Sequence, residues 1–190
     1  EASEPLVAVI DFGLKANIVR ALRARGFRVR IHPHTATVDE VLVGAPRGVV
    51  LSPGPGDPAR LDGPVALARA LIANGEPLLG ICLGHQAIGE AFGGTLINLS
   101  EVVHGLASEV KVTEDVIFKG LPEKFKIGRY HSWVINEQTL SPDLEVTART
   151  PDGQIMGVRH KEFKVRGLQF HPESVLTEHG IEMMKNWLES

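Results

Sequence analysis

Residues 78–84 read Leu-Leu-Gly-Ile-Cys-Leu-Gly, a short apolar run that ends on a cysteine set between two glycines. Leu78–Ile81 reads as a buried strand running straight into Cys82. Upstream, short apolar strands and helical stretches take turns. Leu6–Ile10 is a strand, followed by a helix over about Ala16–Arg25 with Ile18, Val19 and Leu22 on one face and Arg20, Arg23 and Arg25 turned to water. Gly26 closes that helix. Phe27–Ile31 is a second strand, Val38–Val43 a short helix and Gly48–Leu51 a third strand. After the turn-rich loop Ser52-Pro-Gly-Pro-Gly-Asp-Pro58, a helix over Gly63–Ala73 places Val65, Ala68, Leu71 and Ile72 on one face. This alternation predicts an α/β fold: a three-layer, open, mostly parallel sheet with helices on both faces. In such folds ligands bind at the carboxyl ends of the strands, so the segments after Ile10, Leu51 and Ile81 are the places to look.

The second half changes character. Thr95–Leu99, Glu109–Thr113, Lys126–Tyr130, Leu144–Thr150, Gln154–Arg159 and Val165–Phe170 read as strands joined by short turns, and a last helix after Thr177 is expected to bury Ile181, Met184 and Leu188. No repeat, low-complexity segment or linker divides the chain, so one domain over residues 1–190 is expected.

Composition narrows the function classes. The chain is 43 % hydrophobic and 23 % charged, with mean hydropathy +0.03, an ordinary globular balance. Twenty Lys and Arg against 23 Asp and Glu give a net charge of −3, against a dedicated nucleic-acid binder. A single cysteine excludes an internal disulfide. No apolar run is long enough to cross a bilayer, and Glu-Ala-Ser-Glu-Pro at the start lacks the regions of a signal peptide. The expectation is a cytoplasmic protein, cut at its N-terminus because no Met begins it, with neither nucleic acid nor membrane as partner.

Cys82 carries the first chemical signal. Glycines at i−2 and i+2, Gly80 and Gly84, suit a sharp strand-to-helix elbow, because small neighbours tolerate the strained turn. The helix beginning there turns its positive end toward a thiolate. A lone cysteine is otherwise a small core residue, and the glycines at a strand end reverse that preference. A thiolate needs a proton carrier and a group to orient it, and Phe170-His171-Pro-Glu173 supplies both after another strand. In extended chain, residues i and i+2 point the same way, so His171 and Glu173 face one site. Spacing alone leaves His85 and His131 open as the base. There is no H-E-x-x-H pattern and no second cysteine, so neither zinc nor any other cofactor is expected. Gly54-Pro55-Gly56 lies at a third strand end. Its glycines let backbone N–H groups approach an oxyanion, although a plain tight turn explains them equally well. Its prolines and spacing match no phosphate loop.

Together these three motifs resemble those of class I, triad-type glutamine amidotransferase domains, over essentially the whole chain. Gly-Ile-Cys82-Leu-Gly-His-Gln86 is similar to that family's nucleophile motif and Gln-Phe-His171-Pro-Glu173 to its His/Glu motif. The resemblance implies a flavodoxin-like fold. It implies Cys82 as nucleophile, His171 as acid and base, Glu173 as orienting partner, and backbone N–H groups of Leu83 and Gly56 on the oxyanion. Gln86 and the backbone of Ser132 and Trp133 would hold L-glutamine. From Gly84–Gly94 onward, through Gly128–Trp133, Ile155–His160 and His171–Thr177, the chain is most similar to the glutaminase subunits of anthranilate and aminodeoxychorismate synthases. The first strand departs: Ile10-Asp-Phe-Gly-Leu-Lys-Ala-Asn-Ile18, with Gly54-Pro-Gly-Asp-Pro58, resembles the carbamoyl-phosphate synthetase small subunit. The implied activity is hydrolysis of glutamine through a thioester, with ammonia passed to a synthase partner, most readily one that uses chorismate, in tryptophan biosynthesis. Two rivals remain: a cysteine hydrolase on a related scaffold, and a non-catalytic module that binds a partner through the same fold.

Overall fold

Leu6-Val-Ala-Val-Ile-Asp11 forms β1, and its five apolar side chains are all buried. Such a strand needs helices on both sides, and the chain provides them. The computed structural model describes residues 4–55 and 61–190, with the backbone alone described at residues 101 and 102. After β1 come α1 (Ala16–Arg23), β2 (Arg28–Pro33), α2 (Val38–Leu42), β3 (Gly48–Leu51), α3 (Asp62–Ala73), β4 (Leu78–Ile81) and α4 (Leu83–Ala91). The second half supplies β5 (Leu96–Val112), β6 (Lys124–Ile135), β7 (Leu144–Arg149), β8 (Ile155–His160), β9 (Val165–Leu168) and α5 (Gly180–Leu188). Among the described residues the strands join in one sheet, ordered β2-β1-β3-β4-β9-β8-β7-β5-β6. Pairing is parallel from β2 through β9 and antiparallel from β9 to β6.

The pleat of the parallel half sorts the core. Val7, Val9, Val50, Leu79 and Ile81 face α1 and α5, meeting Ile18, Leu22, Met183, Met184 and Trp187. Their neighbours Ala8, Ile10, Val49, Leu51 and Leu78 face the other way, onto Val41 of α2, Leu67, Ala68, Leu71 and Ile72 of α3, and Ile88 of α4. Local signals set the helix ends: Thr37 and Glu40 form a reciprocal capping box at α2, and Gly26, at φ +75°, turns the chain after α1.

Two expectations need correction. The predicted strands Thr95–Leu99 and Glu109–Thr113 are the ends of one strand, β5, whose pairing with β6 breaks register between Asn98 and Val103 and again between His104 and Leu106. These irregularities bend the strand and hid its continuity from a period-two reading. In α5, Ile181 is 56 % exposed, while Met183 and Trp187 are buried with Met184 and Leu188. The buried stripe is 180, 183, 184, 187 and 188, which keeps the expected Met184 and Leu188 but is rotated off Ile181 toward Met183 and Trp187. Trp187 sets that phase by packing against Gly48, where a Cβ would come within 2.9 Å of its ring. Among the described residues no helix is long and apolar enough to cross a membrane.

Candidate active site

Four adjacent parallel strands, β1, β3, β4 and β9, end at one edge of the sheet. Register aligns Ile10 with Leu51, Leu51 with Gly80, and Ile81 with Leu168. The segments leaving those ends therefore converge: Gly13 after β1, Pro53-Gly54-Pro55 after β3, Cys82 after β4, and His171 after β9. With Gln86, His104 and residues 130–133 of β6 they line a cleft of about 480 Å³. A larger cavity of about 770 Å³ lies away from it, around Val112–Asp115 and Arg159, and contains no candidate nucleophile. Its buried carboxylate, Asp115, is already paired with Arg159 and Arg166.

Cys82 occupies the elbow. Its backbone is left-handed at φ +53°, ψ −101°, and it caps the N-terminus of α4. Both flanking glycines are required sterically. A Cβ on Gly80 would collide with the backbone of Gly84, and one on Gly84 would collide with the Leu51 carbonyl. The packing that forces the strained turn is thus the contact of α4 with β3 and β4. A cysteine at positive φ carries a strain of order 1–3 kcal/mol, which close packing of the elbow maintains. The first N–H groups of α4, Leu83 among them, have no partner within the helix. The Leu83 side chain points away from the cleft, into a cluster with Leu61, Val65 and Ala87.

His171 Nδ1 meets Glu173 Oε1 at 2.7 Å, both side chains being about 95 % buried. Burial alone would push the imidazole down. Hydrogen bonding and charge from Cys82, followed by Glu173, outweigh it and raise the His171 pKa from 6.5 to about 9. His171 is therefore an imidazolium at neutral pH, facing the sulfur. The other two candidate bases behave oppositely. Burial pushes His85 down to about 3, against Gly167 in the sheet interior. Burial, then the Arg129 charge, lowers His131 to about 3, and its Nε2 accepts from Arg129 Nε at 3.1 Å. Both are neutral imidazoles.

Gln86, Ser132 and Trp133 line the cleft. The Gln86 amide nitrogen is engaged, donating to the Trp133 carbonyl at 3.0 Å and to Gln169 Oε1 at 3.2 Å. The register break in β5 falls opposite Ser132: His131 pairs with Val103 and Trp133 with Asn98, which leaves Ser132 outside the ladder. Gly54 and Pro55 line the cleft, while Gly56 lies outside the described residues.

Residues 8–190 match the family described as glutamine amidotransferase class-I. The chain belongs to the class I glutamine amidotransferase family. It is 43 % identical over 175 residues to anthranilate synthase component 2 of Mycobacterium tuberculosis, covering 90 % of this chain and 75 % of that one. It is 42 % identical over 153 residues to aminodeoxychorismate synthase component 2 of Klebsiella aerogenes, covering 80 % and 81 %. Among solved structures it superposes with TM-score 0.89 and 27 % identity on a Thermoplasma acidophilum protein described as a GMP synthase subunit, covering 100 % of this chain and 94 % of that one.

The amidotransferase site also holds residues that the sequence reading left without a role. Tyr130 lies edge-on to the His171 ring at 5.0 Å between centroids, and its hydroxyl is 3.1 Å from Ser174 Oγ. Lys15, Gly13 and His104 stand at the cleft wall. Gln169 reaches Cys82, its Nε2 lying 3.7 Å from Sγ. The period-two rule already held a signal for Gln169: in extended chain it shares a side with His171 and Glu173.

Proposed function

We propose that this amidotransferase, a single glutaminase domain over residues 1–190, hydrolyses L-glutamine and delivers ammonia to a chorismate-using synthase partner, that of anthranilate synthase first. The observation that carries the chemistry is the strained elbow of Cys82 opening onto the same cleft as the His171–Glu173 pair. With His171 protonated, an imidazolium stands in the same cleft as the Cys82 sulfur.

The thiolate attacks the side-chain amide carbon of glutamine. The Leu83 N–H and the Gly54-Pro55-Gly56 loop meet the developing oxyanion, a donation worth about 3–4 kcal/mol per group. Gln86 and the backbone of Ser132 and Trp133 hold the substrate. His171 gives its Nε2 proton to the departing nitrogen, the C–N bond breaks, and ammonia leaves a γ-glutamyl thioester. The imidazole, now neutral, takes a proton from water; the hydroxide attacks the thioester carbonyl and expels the thiolate as glutamate forms. Glu173 holds the ring through Nδ1 and takes no part in the bond changes.

The choice of partner is supported by the anthranilate synthase relatives, 43 % identical over 90 % of the chain. The test is glutamate release from L-glutamine with and without an anthranilate synthase large subunit. Strong stimulation is expected. Basal turnover that this subunit leaves unchanged would redirect the assignment to the aminodeoxychorismate or carbamoyl-phosphate partner.

A further inference from the structure

Gln169 is fully buried and stands level with Cys82. β4 and β9 pair at Ile81 and Leu168, and the Cys82 N–H donates to the Leu168 carbonyl at 2.8 Å. The side chains of Cys82 and Gln169 thus lie side by side where the two strands end. The Gln169 amide is oriented from both ends. Its Oε1 accepts from Gln86 Nε2 at 3.2 Å, and that nitrogen is itself fixed by the Trp133 carbonyl, an acceptor only, at 3.0 Å. Turning the Gln169 amide over would set its NH2 against that of Gln86 and its oxygen against the sulfur. Its N–H is therefore committed to Cys82 Sγ, at 3.7 Å, a distance suited to a large, polarisable acceptor. A chain of amides runs from the backbone of β6 through α4 to the nucleophile.

We propose that Gln169 is a catalytic residue that donates a hydrogen bond to the Cys82 thiolate. The inference rests on the reading of Cys82 as nucleophile. The buried Gln169 amide then donates to the thiolate beside the His171 ring, and a hydrogen bond to a charged acceptor of low exposure is a strong one. The bond weakens when the sulfur is acylated and returns when the thiolate is expelled, so it favours breakdown of the thioester. Its anchor is Trp133, beside the Ser132 backbone proposed to hold glutamine, which ties substrate engagement to the state of the sulfur.

The test compares the full chain with Gln169→Met and Gln169→Glu. Two quantities are measured, the pH dependence of Cys82 alkylation by iodoacetamide and the kcat and KM of glutamine hydrolysis. Loss of the donor in Gln169→Met is expected to move the alkylation midpoint up by about one pH unit and to lower kcat about tenfold, with KM changing less than about twofold. Gln169→Glu, which replaces the donor by an acceptor of the same size, should move the midpoint further. A packing role alone would leave the midpoint in place, and that result in an otherwise active Gln169→Met protein overturns this inference while sparing the glutaminase reading. A wild-type chain inert toward glutamine, alone and with its synthase partner, overturns both. Should the variants fold poorly, proton NMR of the unmutated protein decides: the Gln169 side-chain amide signal must shift when Cys82 is alkylated, and an unmoved signal overturns the proposal.

Discussion

Thr177 Oγ1 donates to the His171 carbonyl at 2.6 Å, a bond that closes the turn carrying His171 onto the edge of the sheet. The same hydroxyl accepts from the Gly128 N–H of β6 at 2.9 Å, and the His171 N–H returns to the Gly128 carbonyl at 3.2 Å. Thr177 and β6 thereby hold His171 and Glu173 in one orientation above Cys82, with Tyr130 and Ser174 bracing the outer side. His171 is as firmly placed as Cys82.

That division of roles sets the first expectation. Cys82→Ala should abolish glutamate release while leaving the thermal transition cooperative. Glu173→Ala should lose less, about 10²-fold, because it orients the imidazole without exchanging atoms with the substrate. Turnover assays on the two variants decide; equal losses would mean that the carboxylate does more than orient.

Glu173 also helps hold the His171 proton. Removing its charge in Glu173→Gln takes away one of the causes that raise the His171 pKa to about 9, so the alkaline limb of the pH–kcat profile, which reports loss of the imidazolium, should move toward lower pH. A limb left in place would assign it to another group.

Backbone strain at Cys82 separates two substitutions that are equally inactive. Alanine keeps a side chain at φ +53°, whereas glycine adopts that conformation freely. Cys82→Gly should be the more stable variant by about 1 kcal/mol in urea unfolding. The reverse order would mean that the elbow is relaxed.

Gly84→Ala should be costly, by more than about 2 kcal/mol, because the new methyl meets the Leu51 carbonyl at the contact between α4 and β3. The neighbouring elbow should lose activity with it. Urea midpoints compared with those of Gly63→Ala, where a Cβ meets nothing within 4 Å, provide the control.

Acid should unfold this protein through its buried histidines. His85 and His131, at about 3 in the fold, stay neutral where the unfolded chain, near 6.5, takes up protons. Stability contributed by the neutral forms is present above about 6.5 and is lost as pH falls below it, at up to about 1.4 kcal/mol per pH unit for each histidine. His85→Gln should flatten the fall by about one proton in urea titrations across that range. An unchanged slope would show that His85 already charges in the fold.

Much of the site was legible because its signals are local. Gly80 records a steric demand made within five residues, by the backbone of Gly84, and the His171–Glu173 pair follows from the two-residue period of extended chain. Gln169 and Tyr130 were visible as residues but not as roles. Which histidine stands beside Cys82 depends on β9 lying next to β4, a neighbour relation between segments far apart in sequence. Burial then silences His85 and His131 while the sulfur and Glu173 charge His171.

The fold divides in the same way. Periodicity within each segment determined the strands and helices of the parallel half, the face that α1 and α3 bury, and the strand ends where chemistry belongs. Tertiary packing alone decided the continuity of β5 across its bulges, the phase of α5 set by Trp187 against Gly48, and the amide chain from Trp133 to Cys82. Side-chain period is a property of one element and is written in its residues. Register, stripe phase and hydrogen-bond partners across the sheet are properties of pairs of elements, and they exist only once the pairs have met.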